Sequence, residues 1–192
     1  WHCWVCNKGG YKIGILLRKI NAPKNIISEV LKILGDYQGV SKEKEEVTKY
    51  DVSLPQCYKP LWKKSDDPLY KNAIHYLRQR NIGSVDILRY SIGFCSSNGY
   101  SNRIIIPSYD TDGKLNYFMA RDMFPNSKFK YKNPPMSKDT VGFELFINWK
   151  EPIVLCEGVF DAIAIRHNAI PLFGKFPSKT LVMRLVEKQV KK

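Results

Sequence analysis

The stretch Val154-Leu-Cys-Glu-Gly-Val-Phe-Asp161 decides the fold. It contains most of a short, continuous apolar run from Ile153 to Cys156, which is typical of a β-strand. A helical pattern follows over Val159 to His167, and a second apolar run over Ala169 to Phe173 leads into Gly174. A strand, a helix and a strand of these lengths predict a parallel βαβ unit, because parallel strands need such a crossover.

Two carboxylates flank the turn between the first predicted strand and its helix. Glu157 lies at the carboxyl end of the strand, which is where ligands bind in parallel α/β sheets. Gly158 allows the chain to turn, and Asp161 falls in the first turn of the helix. Two carboxylates so placed could hold Mg²⁺ through oxygen ligands, and the ion could bind nucleotide phosphates. Ordinary capping, with Asp161 favouring the positive helix N-terminus, explains the same spacing without a metal.

The chain carries a large excess of positive charge. It has 192 residues with 31 Lys and Arg against 18 Asp and Glu, a formal charge of +13, and 44% of its residues are apolar. This length and apolar content suit one domain or two small ones with a real core. The charge predicts a polyanionic partner, foremost nucleic acid, although lysines on solvated faces would give the same composition.

The sequence also predicts a cytoplasmic location. No apolar run approaches the roughly 18 residues that span a bilayer, and no secretory leader opens the chain, so we expect no membrane partner. Five cysteines are an odd number, and Cys57, Cys95 and Cys156 lie far apart, which favours a reducing compartment over a disulfide framework.

The first residues contain a possible half of a zinc site. Cys3 and Cys6 form a Cys-x-x-Cys pair before Gly9-Gly10, and two thiolates at this spacing can bind one tetrahedral Zn²⁺. A structural site needs four ligands, so the missing pair would lie upstream; a redox pair is the alternative. The chain opens on Trp1 and a helical pattern continues to Lys192, so we expect both ends to continue in a longer polypeptide.

Hydrophobic periodicity predicts four helices in the first half of the chain. Two short amphipathic helices are expected within 13–34, ending before Gly35. A polar, charged and proline-rich stretch over 39–68 predicts a linker or an extended connection. Two more helices are expected, over Leu69 to Arg80 and from a capping Ser84 to about Tyr90.

A hairpin and a basic segment are predicted next. Arg103-Ile-Ile-Ile-Pro107 and the run from Leu115 to Ala120 flank Asp110-Thr-Asp-Gly113, whose Asp-Gly chemistry is typical of a hairpin turn. The stretch Lys128-Phe-Lys-Tyr-Lys-Asn133 is basic and aromatic. Such a segment could bind phosphates and unpaired bases, or be a solvated basic strand.

Several of these motifs follow the order seen in the catalytic core of DNA primases. They are Tyr76-Leu-Arg-Gln-Arg80, Tyr90-Ser-Ile-Gly-Phe94, Arg103-Ile-Ile-Ile-Pro107, Gly113 to Arg121 and Lys130-Tyr-Lys-Asn133. Trp1-His-Cys-Trp-Val-Cys6 resembles the second half of a primase zinc ribbon, and Val154 to Asp161, with Pro171-Leu-Phe-Gly174, is similar to the opening of the Toprim fold that primases share with topoisomerases. Over nearly its whole length the chain resembles the bacterial and phage (DnaG-like) DNA primases.

The resemblance implies a mixed α+β and α/β fold. It consists of a zinc-ribbon remnant, a primase catalytic core and a partial Toprim subdomain with a Rossmann-like parallel βαβ unit. The implied domains are 1–38 for half of the zinc-binding domain with its helices, 39–68 for the linker, 69–150 for the N-terminal part of the core, and 151–192 for the truncated start of Toprim.

The resemblance further implies an enzyme, a DNA-directed RNA polymerase that makes short RNA primers from ribonucleoside triphosphates on single-stranded DNA during replication. Implied cofactors are structural Zn²⁺ and catalytic Mg²⁺ or Mn²⁺. A replicative helicase is the family's usual partner, and the location would be the bacterial host cytoplasm if a phage encodes the chain. The implied metal ligands are Cys3 and Cys6 for Zn²⁺ and Glu157 for Mg²⁺, with the acidic Asp161 near Glu157. The implied residues of the basic motif that lines the site are Arg121, Lys130, Tyr131 and Asn133. Arg80 and Arg103 are implied to bind nucleotide or template.

Two departures from the family pattern limit the expected activity. Val141 precedes Gly142 where the family has a lysine, and the Asp-x-Asp strand of Toprim would follow Lys192. We therefore expect the chain by itself to bind metal weakly and to make little or no primer. Another Toprim enzyme, a topoisomerase or nuclease, and a non-catalytic binder of single-stranded DNA remain as alternatives.

Overall fold

The computed structural model describes residue 10, residues 13–34 and residues 52–190. The chain divides into two compact units, residues 1–48 and residues 49–192. The predicted zinc ligands Cys3 and Cys6 lie outside the described residues. Every helix within the described ranges is too short or too polar to cross a membrane.

The described part of the first unit consists of the two predicted helices. α1 spans Ile13–Lys19 and α2 spans Lys24–Leu34, and they pack against each other. Ile27 begins the hydrogen bonding of α2, because its backbone amide donates to the carbonyl of Pro23 at 3.0 Å. α2 ends directly before Gly35, where the sequence predicts the end.

Four antiparallel strands form the main sheet of the second unit. In pairing order they are β1 (Tyr58–Pro60), β2 (Gly93–Cys95), β3 (Arg103–Tyr109) and β4 (Leu115–Asp122). β3 and β4 form the predicted hairpin. Asp110 closes its turn by accepting hydrogen bonds from the amides of Asp112 and Lys114, at 3.0 and 2.9 Å. Gly113 has a φ of 75°, a conformation that favours glycine.

Part of the predicted linker is a strand. Within 39–68, predicted as a linker or an extended connection, Tyr58–Pro60 forms β1 and pairs with β2. A long-range contact holds this strand in place, because the Tyr58 hydroxyl donates to the carbonyl of Ser91 at 2.8 Å. β1 lies at the sheet edge, where Pro60 costs no ladder hydrogen bond. Proline-rich composition alone therefore could not reveal it.

Two helices follow β1 and precede the hairpin in sequence. α3 spans Pro68–Arg78 and α4 spans Ser84–Arg89, close to the predicted ranges. Ser84 is not the predicted cap, because Gly83 occupies that position. The Asp86 carboxylate accepts the backbone N–H of Gly83 at 3.0 Å. A first-turn carboxylate therefore satisfies the amide of the N-cap residue, which is a different bond from the one that a capping serine hydroxyl accepts.

The main core joins α3 and α4 to one face of the sheet. Its fully buried members include Leu77, Ile82, Phe94, Ile104 and Ile106. A smaller cluster contains Cys95, Ile105, Phe118 and Ala120. Successive residues of a strand point to opposite faces, so three consecutive isoleucines in β3 supply both clusters.

The predicted βαβ unit is present. β5 (Val154–Cys156) and β6 (Ala169–Pro171) are parallel, and α5 (Val159–Ile165) connects them. β5 is more exposed than a core strand, because Val154 and Leu155 are 44% and 42% exposed. Within the described residues β5 pairs with β6 alone, which leaves much of its surface uncovered.

The last helix ends earlier than predicted. The sequence suggests a helix to Lys192, but α6 spans Lys179–Glu187 and Lys188 caps it. Gln189 has a φ of 50°, in the left-handed region, so the helix cannot continue through it. α6 begins with a side-chain cap at Ser178, whose hydroxyl accepts the amide of Leu181 at 3.0 Å.

Asp67 gives the second unit a predictable acid sensitivity. Its carboxylate caps α3 by accepting the Leu69 amide at 3.0 Å and pairs with Lys59 at 2.7 Å. The hydrogen bond from Lys59 lowers the pKa of Asp67 to about 2. A depressed folded pKa adds stability that is present above the unfolded pKa, about 4, and lost as the pH falls toward 2.

Asp67→Asn is therefore expected to flatten the loss of stability between pH 4 and pH 2, because an amide keeps the cap but does not titrate. Asp67→Ala should also remove the cap, at a cost of about 1 kcal/mol. Urea unfolding across this pH range measures both effects, and an unchanged pH dependence in Asp67→Asn would contradict the assignment.

Candidate active site

The turn between β5 and α5 presents the two predicted carboxylates. Gly158 caps α5 with extended backbone, Glu157 is exposed before it, and Asp161 lies in the first helical turn. Asp161 folds back over the turn, because its Oδ2 lies 3.0 Å from the position that a Cβ on Gly158 would take. The pKa of Cys156 at the end of β5 is raised by burial and further by the negative charge of Asp161.

Both carboxylates are available to a cation. Within residues 52–190, neither Glu157 nor Asp161 has an ion-pair or side-chain hydrogen-bond partner. Oxygen donors of this kind suit Mg²⁺ or Mn²⁺, which take about six ligands. No group of three or more ligating side chains occurs in the described part of the chain. Glu157 and Asp161 supply oxygen donors of the kind that such a cation takes, and their role as its ligands stays a prediction.

The basic segment runs along the end of β4. Tyr131 forms an antiparallel bridge with Arg121, and two backbone bonds of 2.9 Å flank it, from Asp122 to the Lys130 carbonyl and from Lys132 to the Ala120 carbonyl. The Arg121 guanidinium lies 4.5 Å from the centre of the Tyr131 ring. Two predicted site residues are thus in direct contact.

The guanidinium of Arg103 contacts the backbone of this segment. The side chain is buried, and its Nη2 donates to the carbonyl of Phe129 at 2.8 Å, while Nη1 lies 3.5 Å from that of Lys130. Its guanidinium also pairs with Asp122, with 3.5 Å between Nη2 and Oδ2. The guanidinium of Arg103 therefore has protein partners on two sides, and its predicted contact with nucleotide or template stays a prediction.

Arg80 connects α3 to α5. Its guanidinium lies 4.8 Å from the ring centres of both Tyr76 and Phe160, and these rings meet edge to face at 6.1 Å. The Tyr76 hydroxyl accepts a hydrogen bond from Arg121 Nε at 3.1 Å. Five side chains therefore form one connected series, the arginine–aromatic ladder. Its members, in order, are Tyr131, Arg121, Tyr76, Arg80 and Phe160.

The ladder brings the predicted site residues toward one another. Phe160 is its last member and directly precedes Asp161 in the first turn of α5. The sequence assigned no role to Tyr76 or Phe160, although both lie inside the quoted motifs. The one sign of these residues in the sequence is that they are aromatic and lie in motifs with arginines. Which arginine each ring contacts becomes visible only in the folded chain.

Lys130 and Asn133 occupy different environments. Lys130 is exposed and has no ion-pair partner in the described ranges, so its charge is free for a ligand. The side chain of Asn133 lies against the buried hydroxyl of Tyr117. Burial raises the pKa of Tyr117 to about 12, and the hydrogen bond with Asn133 partly opposes this effect.

The position that lacks the family's lysine is part of the core. Val141 is buried against Ile170 and Leu181. The next residue, Gly142, passes so close to β6 that a Cβ would lie 2.5 Å from the carbonyl oxygen of Pro171. Val141 is therefore a member of the apolar core, and the loss of one basic contact at this position stays a prediction.

Comparisons with known proteins agree with this architecture. No protein-family model matches the chain. The curated DNA primase of Campylobacter jejuni is 25% identical over 224 residues, which cover 91% of this chain and 36% of that protein. A solved DNA primase domain from Pseudomonas aeruginosa is 21% identical with a TM-score of 0.57, covering 68% of this chain and 55% of the other. A DnaG primase catalytic domain solved with single-stranded DNA gives 17% identity, a TM-score of 0.52 and coverages of 64% and 55%.

The chain has the fold of the DnaG primase catalytic core. The mixed α/β fold predicted from the motif order is thereby confirmed. The DnaG-like resemblance is also supported by sequence, because the match to the curated primase covers most of the chain. The chain spans about a third of that relative's length.

Proposed function

We propose that this DnaG-like chain belongs to a DNA primase, a nucleotidyltransferase that joins ribonucleoside triphosphates into short RNA primers on single-stranded DNA. The observation that carries the proposal is the arginine–aromatic ladder. It joins α3, β4, the basic segment and α5, and its last member, Phe160, directly precedes Asp161 in the sequence. This connection supports a site in which cations bind phosphates, a ring stacks on a base and carboxylates bind a metal.

Each side chain has a chemical task in this proposal. Lys130, Arg121 and Arg80 attract the triphosphate and compensate its negative charge, and arginine is suited to this by its planar set of donors. Tyr131 is about half exposed and can stack on an unpaired base. Asn133, whose side chain hydrogen-bonds with Tyr117, orients the segment or the substrate.

Glu157 and Asp161 would hold the divalent cation. When bound, Mg²⁺ or Mn²⁺ supplies charge stabilisation for attack of a ribose 3′-hydroxyl on an α-phosphate. We expect further ligands to come from outside the described residues, from the Asp-x-Asp strand that would follow Lys192. On this account residues 151–190 are the beginning of a Toprim subdomain, and the chain by itself makes little primer.

Other parts of the proposal concern partners and location. The solved DnaG catalytic domain is bound to single-stranded DNA, which supports a single-stranded template for this chain as well. A zinc module with Cys3 and Cys6, a replicative helicase and a cytoplasmic site of action are proposed from the resemblance to primases.

The test is ribonucleotide incorporation by the intact gene product on single-stranded DNA with Mg²⁺ or Mn²⁺. We expect short RNA products that depend on ribonucleotides. Cleavage or relaxation of DNA without RNA synthesis would favour another Toprim enzyme, and DNA binding without any reaction would favour a non-catalytic binder. Either result would refute the primase proposal.

A further inference from the structure

A second basic surface is formed by side chains of α3, α4 and the residues before α3. It is a groove of about 610 Å³ between α3 and α4, with a floor that includes Ile74 and Ile82. Its cationic lining residues are Lys64, Lys71 and Arg78, and Trp62 lies at its rim. We call these four residues and the floor the α3–α4 groove.

The cations of the α3–α4 groove have no protein partner within the described chain. Lys64, Lys71 and Arg78 are exposed, and no carboxylate of the described residues lies within ion-pair distance of them. No Asp or Glu lines the groove. The nearby Lys59 differs, because it pairs with Asp67 at 2.7 Å. The groove therefore keeps an uncompensated positive charge that favours an anionic occupant.

A second cleft joins this groove to the candidate active site. It has a volume of about 660 Å³, it is lined by Arg78, Arg80 and Arg166, and it shares Ile82 and Gly83 with the groove. Arg80 is also a member of the arginine–aromatic ladder. A continuous cationic path therefore leads from the ladder, over the α3–α4 turn, to Trp62.

Arg166 contributes less than the other cations of this path. It pairs with Asp86 at 3.0 Å and donates to the carbonyl of Asn81 at 2.7 Å. The charges left for a ligand are those of Arg80, Arg78, Lys71 and Lys64. Lys71 and Arg78 are seven residues apart on α3, about 10 Å along its axis, which corresponds to roughly three nucleotides at the stacked rise.

We propose that the DNA template continues from the active site along this path as a single strand. Beyond Arg80, the phosphates of the strand lie on Lys64, Lys71 and Arg78, and one base stacks on Trp62, which is 43% exposed. Continuity with Arg80 and an exposed indole favour a nucleic acid over an acidic protein segment. The proposal rests on the proposed primase function for the identity of the strand as template, but the binding itself can be tested separately.

The test measures binding of labelled oligothymidine to the intact gene product, using a short strand of about six nucleotides and a long strand of about 24 nucleotides. The variant is Lys64→Ala/Lys71→Ala/Arg78→Ala. The matched control is Lys138→Ala/Lys150→Ala/Lys179→Ala, which removes the same charge from exposed positions outside the path. Circular dichroism and thermal melting check that both variants are folded.

We expect the groove variant to bind the long strand at least tenfold more weakly and to lower the slope of log affinity against log salt by about 2, since each released contact contributes about 0.7. Binding of the short strand should change less. Trp62→Leu should weaken long-strand binding at least fivefold, and Trp62→Phe should restore most of it, because a ring suffices for stacking.

Equal affinities and salt slopes in the groove and control variants would overturn the proposal. So would a loss that is equal for short and long strands, since it would indicate a general charge effect. Failure of the primase function is distinguishable, because a protein without RNA synthesis would still show the length-dependent loss of DNA binding in the groove variant.

Discussion

Replacing Glu157 by Gln is expected to reduce primer synthesis on the order of 100-fold or more, while leaving affinity for single-stranded DNA unchanged. The loss of one preorganised electrostatic group at a phosphoryl-transfer site has effects of this size. Glu157 is exposed at the end of β5 and has no ion-pair partner in the described ranges, so its charge does not stabilise the fold through a pair. The substitution keeps size and shape and removes only the charge that a divalent cation requires.

The matched control is Glu151→Gln. Glu151 is an exposed glutamate of the same unit that lies 3.6 Å from His167, a surface pair of little energetic value. Its amide variant should synthesise primers at the wild-type rate. Both substitutions are made in the intact gene product and measured by ribonucleotide incorporation at several Mg²⁺ concentrations. Equal activity of Glu157→Gln and wild type would remove Glu157 from the metal site.

Arg103→Met is expected to destabilise the second unit by about 3 kcal/mol, because it leaves the Asp122 carboxylate buried without its cation. The side chains of Arg103 and Asp122 are only 9% and 10% exposed, so water cannot replace the lost partner well. The substitution also removes the donor to the Phe129 carbonyl. Urea unfolding gives the stability, and limited proteolysis reports whether the basic segment is released.

Two further variants make this second prediction specific. Arg103→Met/Asp122→Leu should recover part of the stability, because both charges are then absent. Arg78→Met replaces an exposed arginine and should leave unfolding nearly unchanged. A loss below about 1 kcal/mol in Arg103→Met would show that the pair does not hold the segment.

Local patterns were sufficient for most elements of the fold. The alternation between β3 and β4 around Asp110 to Gly113 predicts the hairpin, since turn chemistry and apolar runs act over neighbouring residues. The βαβ unit follows from two apolar runs and one helical pattern, because its crossover length is fixed by geometry. β1 was missed because its stability depends on β2, more than 30 residues away along the chain.

The sequence predicted which residues are candidates for the site better than it predicted what each side chain contacts. Motif order indicated Arg80, Arg121, Lys130 and Glu157, and charge identifies such residues without a structure. The role of Arg103 was not predictable, because an arginine on a strand gives no sign of whether its guanidinium meets a ligand or a backbone carbonyl. The contacts of Tyr76 and Phe160 with each other and with Arg80 became visible only in the folded chain.

The sequence by itself determined the helices, the hairpin, the parallel unit, the positive charge and the acidic turn, because each depends on residues that are close along the chain. Only the tertiary structure decided which arginines are buried and which are free, and that the ladder joins four separate segments. Burial and ion pairing depend on which surfaces meet in the folded chain, and local spacing does not specify those meetings.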